Sequence, residues 1–318
     1  MRTDSLADVD VLITGANGML GRALSSVLAA EHAPRSVFSA SHAALDVTDQ
    51  AACDALGTRP LGLILHCAAW VDADGCERDA GRCNRTQIDG TANVVGLAQR
   101  TGARLVYPQS FLVFDSSDAL ITEATVPSPT SAYGRAKLAA EHLVASELPD
   151  ALVVRMGGFF GGEAVDKNFV GAFTRGLRDR VRRGDRTIEV GRRVWQPTYT
   201  LDLARNTLAL VAAGKRGVYH MASQGSASFF DVACVIHEEL DLQDCFSLSA
   251  VDAQQVARRD VAHRPERVVM SNVRLGEERL DVMRPWAVAL REYLQLPFFL
   301  ELADEIRAAG GQIAPRSI

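Results

Sequence analysis

The chain has 318 residues, of which 47% are hydrophobic and 23% are charged, and its formal net charge is −5. This length predicts two domains, or one large domain with an additional lobe. The acidic balance disfavours nucleic acid and anionic membrane surfaces as partners. No stretch approaches the ~20 apolar residues of a membrane span, and the six cysteines form no Cys-x-x-Cys pair. We therefore expect a cytoplasmic protein with reduced cysteines and no metal site.

The first predicted strand, residues 9–14, runs directly into a glycine-rich turn and a helical pattern that ends near His32. In a dinucleotide-binding turn, glycines permit a tight bend, a close approach of the backbone to the pyrophosphate, and close helix–strand packing. The helix N-terminus then offers unpaired N–H groups to the phosphates. The pattern predicts a dinucleotide site, with a purely structural glycine turn as the alternative. The predicted contacts are Gly15, Asn17, Gly18, Met19, Leu20 and Gly21.

No acidic residue ends the second predicted strand, residues 36–40. An acid there commonly binds the ribose hydroxyls of NAD, so its absence favours NADPH, with NADH still open. The next segment predicts an adenine contact at Asp46, with Val47 beside it, and a helix cap at Asp49. Side chains available for a 2′-phosphate are Ser39, Ser41, His42, Arg22 and Arg35.

Three further strands are predicted over residues 61–66, 103–107 and 151–155, separated by helices that include one over residues 80–101. This alternation predicts an α/β protein with a doubly wound parallel sheet of the Rossmann type. Small side chains after the third strand are predicted to lie against the cofactor. They are Cys67, Ala68 and Ala69.

The alternation weakens after residue 156. We predict a dinucleotide-binding domain over residues 1–156 and a smaller, mainly substrate-binding lobe over residues 157–318. Segments near residues 193–220 are expected to return to the first domain. The second half also predicts a helix that carries Phe169 and Phe173, a helix capped by Thr200, and a strand over residues 217–221.

Tyr133 and Lys137 lie four residues apart, so both project from one face of a predicted helix. A nearby ammonium favours the phenolate, so we expect Lys137 to lower the pKa of Tyr133. A tyrosine tuned in this way can transfer a proton near neutral pH. A solvated helix face is the alternative interpretation of this spacing taken alone.

Taken together, the glycine turn, Asp46, Ser110 and the Tyr133–Lys137 pair resemble the extended short-chain dehydrogenase/reductase superfamily in order and spacing. The resemblance covers nearly the whole chain. Within the superfamily the chain is most similar to the dTDP-4-dehydrorhamnose reductase family. The segments that support this are residues 45–49, 113–115, 133–137, 168–169, 197–198, 217–220 and 264–265.

The resemblance implies NAD(P)H-dependent reduction of a keto group on a nucleotide-linked deoxysugar, with a homodimer as one assembly. Tyr133 would give a proton to the carbonyl oxygen, and Ser110 would bond the same oxygen. Lys137 would lower the pKa of Tyr133 and hold the nicotinamide ribose. Preplaced donors of this kind stabilise the charge that develops on the oxygen as hydride reaches the carbon.

The chain departs from the family where the family contacts the sugar. Phe111 and Leu112 stand where the family has Asp and Tyr, and Gly158 stands where it often has Trp. Residues 192–195 read Arg-Arg-Val-Trp instead of Asp-Gln-x-Gly. We therefore expect a substrate other than dTDP-4-dehydrorhamnose. Trp195 is a candidate for the lost stacking surface and Arg192 or Arg193 for a diphosphate contact, with core packing or plain lobe surface as the alternative for each. The predicted substrate contacts are Phe111, Gly158, Asn168, Arg193 and Trp195.

Two other functions remain open at this point. One is a sugar-nucleotide epimerase or dehydratase on the same scaffold, although Phe111 occupies the position that would host a dehydratase acid. The other is a regulatory subunit that binds the dinucleotide without turnover. Intact Ser110, Tyr133 and Lys137 argue against the regulatory subunit, whereas Phe111 and Gly158 favour it.

Overall fold

The computed structural model describes residues 6–253, 255 and 260–311. Within those residues the strands are β1 (Asp10–Thr14), β2 (Ser36–Ala40), β3 (Leu61–His66), β4 (Arg104–Ser110), β5 (Leu152–Met156), β6 (Phe159–Phe160), β7 (Thr187–Gly191), β8 (Val194–Trp195), β9 (Thr198–Tyr199), β10 (Gly217–Met221), β11 (Ala227–Ser228) and β12 (Ser247–Val251). The helices are α1 (Met19–Val27), α2 (Gln50–Ala55), α3 (Ala73–Arg78), α4 (Ala80–Asn84), α5 (Gly90–Thr101), α6 (Ala132–Glu147), α7 (Phe169–Arg182), α8 (Thr200–Ala212), α9 (Phe229–Glu239), α10 (Val273–Glu277), α11 (Trp286–Leu294) and α12 (Pro297–Gly311).

A parallel sheet of six strands, in the order β10-β5-β4-β3-β1-β2, forms the centre of the molecule. Apolar residues dominate β1, β3 and β5, because helices cover both faces of the sheet there. In β1, Val11 and Ile13 pack into the core beneath α1 and α8, whereas Leu12 packs into the core beneath α5 and α6. The predicted doubly wound α/β fold is confirmed.

Later segments of the chain complete this sheet. β10 pairs in parallel with β5, and Leu203 and Leu208 of α8 share a core with α1. A separate apolar core, which includes Phe160, Leu177 and Tyr293, lies among α7, α9, α11 and α12. Small two-stranded sheets, β7 with β12, β6 with β9 and β8 with β11, accompany it. The division of the chain after residue 156 stays a prediction.

The predicted end of β4 and the predicted cap of α8 are wrong. β4 continues beyond Tyr107 to Ser110, although proline disfavours central strands, because Gln109 and Ser110 still pair with β5. The helix predicted over residues 80–101 is confirmed with these bounds. A π-helical stretch at Arg85–Asp89 joins α4 to α5, and there Gln87 donates to the Trp70 carbonyl. Thr200 is the first residue of α8 instead of its cap, since its side chain packs against Gly161.

Candidate active site

The glycine turn lies at the carboxyl end of β1 and has the shape of a dinucleotide cradle. Gly15 adopts φ +63°, and a Cβ built on it would lie 2.7 Å from the backbone nitrogen of Ala68. A Cβ on Gly21 would lie 2.6 Å from the Gly15 carbonyl oxygen. Helix α1 follows with Gly18 at its N-cap and no side-chain cap, so the N–H groups of its first turn are available to an anion. These features fit a bound pyrophosphate.

A series of buried hydrogen bonds fixes the segment after β3, which lies against this turn. The Thr14 hydroxyl accepts from the Ala68 N–H at 3.1 Å and bonds Nδ1 of His66 at 2.8 Å. Nε2 of His66 bonds the Thr91 hydroxyl at 3.2 Å, and that hydroxyl donates to the Gln87 carbonyl. Burial lowers the pKa of His66 to about 3, so the ring is neutral. Because the Thr91 hydroxyl gives its proton to the Gln87 carbonyl, it accepts from Nε2, which assigns the ring proton to that nitrogen. These hydrogen bonds fix Ala68 against Gly15. Cys67 and Ala69, on either side of Ala68, are half-buried.

The segment that follows β2 contains one confirmed prediction, a helix cap, and two untested ones, the adenosine contacts. Asp49 caps α2 by accepting from the Ala52 N–H, as predicted. Asp46 is half-buried, and its Oδ1 accepts from the N–H and hydroxyl of Thr48, which lowers the pKa of the carboxyl. Val47 is buried beside it. Its role and that of Asp46 stay predictions.

The basic side chains predicted for a 2′-phosphate lie in different places. Arg22 bonds the carbonyl of exposed Asn17, at the glycine turn. Arg35 instead pairs with Asp10 at the amino ends of β1 and β2. Since ligands bind at the carboxyl ends of parallel strands, the prediction for Arg35 is wrong.

Ser110, Tyr133 and Lys137 come together where β4 meets the start of α6. Ser131 caps α6 by accepting from the Gly134 N–H, and a Cβ on Gly134 would lie 2.3 Å from the Leu112 carbonyl oxygen. The helix therefore packs directly on the turn that follows Ser110. The Ser110 hydroxyl lies beside that of Tyr133 and acts to lower its pKa.

Burial decides the protonation of the pair in this structure. It raises the pKa of the Tyr133 phenol, against the opposing effect of Ser110. It also lowers the pKa of Lys137 to about 7, with Glu141 acting in the opposite direction. The prediction that Lys137 lowers the pKa of Tyr133 is therefore wrong for this structure: desolvation raises the pKa of the phenol, and the neighbour that acts to lower it is Ser110.

Two aromatic side chains lie beside Gly158, just after the carboxyl end of β5. A Cβ on Gly158 would lie 2.5 Å from Cε3 of Trp195 and 3.2 Å from Cε1 of Phe111. Trp195 is 5% exposed and packs edge-on against Phe229. The structure thus brings together three of the predicted substrate residues, and Trp195 fills the space that a side chain at position 158 would take.

The other two predicted substrate residues are bonded to the protein itself. Asn168 donates from Nδ2 to the Phe159 carbonyl at 2.7 Å. Arg193 pairs with Asp260 at 2.9 Å, and Asp260 in turn contacts Arg264 at 3.2 Å. A diphosphate at Arg193 would have to displace Asp260. These two assignments stay predictions.

Sequence reasoning missed a layer of polar residues behind the pair. Gln109, Glu141 and Arg155 are buried and bonded to one another. The available signals were a glutamine inside an apolar strand and a glutamate one helical turn after Lys137.

Residues 9–297 match the family model described as RmlD substrate binding domain. This chain belongs to that family. It is 32% identical over 291 residues to a dTDP-4-keto-6-deoxy-D-glucose reductase of Streptomyces niveus, covering 90% of this chain and 96% of the relative. The family resemblance predicted from the motifs is confirmed.

Solved structures of the family have the same fold. A dTDP-4-dehydrorhamnose reductase from Clostridium acetobutylicum superposes with a TM-score of 0.82 at 27% identity, covering 90% of this chain and 99% of that one. A second, from Bacillus anthracis and in complex with NADP, has a TM-score of 0.80 at 25% identity, with coverage of 90% and 99%. In the part of this RmlD-family chain that the structure describes, no helix has the length and apolar character needed to span a membrane.

Proposed function

We propose that this protein uses NADPH to reduce a keto group on a dTDP-linked deoxysugar. The observation that carries the proposal is the joint placement of Ser110, Tyr133 and Lys137 at the carboxyl edge of the sheet. That edge also holds the glycine cradle, so a nicotinamide and a carbonyl can meet there. The reductases to which the chain is similar support the dTDP-sugar class, and the NADP-bound relative supports NADPH.

The protein's own residues supply position and a proton. The cofactor, when bound, supplies the hydride. The Ser110 and Tyr133 hydroxyls converge on the carbonyl oxygen, and Tyr133 transfers its proton to that oxygen as negative charge develops. The phenolate that remains is stabilised by the Lys137 ammonium and the Ser110 hydroxyl. Lys137 also holds the nicotinamide ribose in this proposal.

The cradle residues would hold the rest of the cofactor. The N–H groups at the start of α1 would bind the pyrophosphate, and Asp46 would bond the adenine amino group. The other proposed contacts are Gly15, Asn17, Gly18, Met19, Leu20, Gly21, Val47, Cys67, Ala68 and Ala69.

The sugar site is proposed to differ from that of a dTDP-4-dehydrorhamnose reductase. Phe111 and Trp195 both lie against Gly158. The half-buried Phe111 ring can pack on the apolar face of a sugar ring, whereas the buried Trp195 would support this site from behind. Arg193 would contact the diphosphate after release from Asp260, and Asn168 would complete the site. A homodimer and a cytoplasmic location also stay predictions.

A titration followed by a turnover assay tests this function. Fluorescence titration with NADPH and NADH is repeated in the presence of dTDP, UDP and GDP, and NADPH oxidation is then followed with dTDP-4-keto-6-deoxy-D-glucose. We expect NADPH to bind more tightly than NADH, dTDP to strengthen its binding, and the keto sugar to be reduced stoichiometrically. Absence of dinucleotide binding would overturn the reductase assignment.

The same experiment separates the two alternatives. An epimerase or dehydratase would convert the sugar without net consumption of NADPH. A regulatory subunit would bind NADPH and reduce none of the sugars; the apolar Phe111 beside Ser110 is the observation that favours it.

A further inference from the structure

Neighbouring strands of the main sheet place polar residues in one buried row beneath α6. Gln109 of β4 lies opposite Arg155 of β5, and Arg155 lies opposite His220 of β10. Gln109 is 1% exposed, Arg155 6% and His220 0%. Burying an amide or a guanidinium costs free energy unless its hydrogen bonds are made. The bonds that this row makes therefore indicate what the row does.

The side-chain amide of Gln109 joins β4 to α6. Its Nε2 donates to the Lys137 carbonyl at 2.9 Å and to Oε2 of Glu141 at 2.8 Å. Its Oε1 accepts from the Ser110 N–H at 2.8 Å. The Lys137 carbonyl can only accept and the Ser110 N–H can only donate, so the amide has only one orientation that satisfies both backbone bonds. One side chain thus ties the backbones of Ser110 and Lys137 together.

We call the three hydrogen bonds of the Gln109 amide the Gln109 clamp. An ion pair between Glu141 and Arg155 fixes the carboxylate to which the clamp is bonded. Nε of Arg155 donates to Oε2 of Glu141 at 3.2 Å, and Nη2 of Arg155 bonds the other carboxylate oxygen. Their side chains are only 7% and 4% exposed. A charge-assisted, two-point pair of this kind fixes the carboxylate that Gln109 faces.

We propose that Gln109 is a positioning residue that sets the distance between Ser110 and the Tyr133–Lys137 face of α6. The inference rests on the proposed function, because it assigns Gln109 a role in that reaction. Gln109 does not touch the substrate; it acts through the backbones of Ser110 and Lys137. A misplacement of about 1 Å in a catalytic group can cost on the order of 100-fold in rate, so the clamp has kinetic consequences.

Gln109→Met tests the clamp. Methionine preserves the length of the side chain but makes none of the three hydrogen bonds. Gln99→Met is the matched control, since Gln99 is an exposed residue of α5 that contacts Glu147 on the same helix α6. Each variant is measured for NADPH binding stoichiometry, for kcat and KM with dTDP-4-keto-6-deoxy-D-glucose, and for amide hydrogen exchange. If Gln109→Met does not fold, Gln109→Asn keeps the amide but is too short for all three bonds.

We expect kcat per NADPH-binding site to fall about 10- to 100-fold in Gln109→Met, with the substrate KM and NADPH affinity within about threefold. Exchange should accelerate in peptides that cover residues 108–114 and 132–138 and stay unchanged in β1 and β3. Gln99→Met should match the wild-type protein. Unchanged kcat per binding site, or uniform acceleration of exchange across the sheet, would overturn the positioning role. If the wild-type protein reduces no sugar, the proposed function fails, and the local exchange result still decides whether Gln109 ties the two backbones.

Discussion

The ammonium nitrogen of Lys137 lies 4.0 Å from the centre of the Tyr107 ring. The same nitrogen donates to the Pro108 carbonyl at 2.8 Å. A ring face and a carbonyl oxygen both attract a cation, but neither carries a full negative charge. Lys137 is therefore held in place without being fully compensated for its burial, which lowers its pKa to about 7.

This burial predicts a pH dependence of stability. The pKa of Lys137 is about 7 in the folded protein, against 10.5 for a freely exposed lysine, so the unfolded chain binds more protons between these two pH values. The contribution of Lys137 to the free energy of unfolding therefore rises with pH across that window. The free-energy cost of burying Lys137 is fully present below about pH 7. In urea unfolding, Lys137→Met should show a shallower rise of unfolding free energy than the wild-type protein. Parallel pH curves would show that Lys137 is not the group responsible.

Tyr133→Phe should abolish turnover and leave NADPH affinity within a few fold. The variant removes only the proposed proton donor, an effect typically worth about 100- to 10,000-fold, and keeps the packing of a buried ring. Single-turnover absorbance and fluorescence titration provide the two measurements. Substantial remaining activity would mean that another group gives the proton. A second variant, Lys137→Ala, should lower turnover and also weaken NADPH binding, because Lys137 is proposed to hold the nicotinamide ribose.

Gly158→Ala should raise the KM for the sugar nucleotide about 10-fold or more and leave NADPH affinity unchanged. The added Cβ would lie 2.5 Å from the Trp195 ring, so the indole must move, and overpacking of this kind typically costs about 1–3 kcal/mol. Gly176→Ala is a suitable control, since no atom lies within 4 Å of the Cβ position there. An unchanged KM would place the sugar elsewhere.

Glu141→Gln should destabilise the protein by about 3–5 kcal/mol, because it leaves the buried Arg155 without its counter-charge. Chemical unfolding measures the loss. Glu147→Gln, at an exposed position of the same helix, should stay within about 0.5 kcal/mol of the wild-type protein. Equal stability of the two variants would show that Arg155 finds another partner.

The amino-acid sequence by itself determined the local elements and the cofactor turn. The strands Ser36–Ala40, Leu61–His66 and Gly217–Met221 were predicted with the bounds that the structure has, because each is a short segment with β-branched, aromatic or other apolar residues between turn signals. The glycine turn and the Tyr133–Lys137 spacing are equally local patterns. They were sufficient to indicate the fold and the family.

Only the tertiary structure decided the pKa values of the site residues and the long-range contacts that position them. The pKa values of Tyr133 and Lys137 depend on burial by residues from other strands, so a helical spacing alone predicted the wrong direction for the tyrosine. The Gln109 clamp and the pairing of Arg193 with Asp260 likewise join residues far apart in the chain. Desolvation and long-range pairing are properties of the packed molecule, and no local pattern of residues carries them.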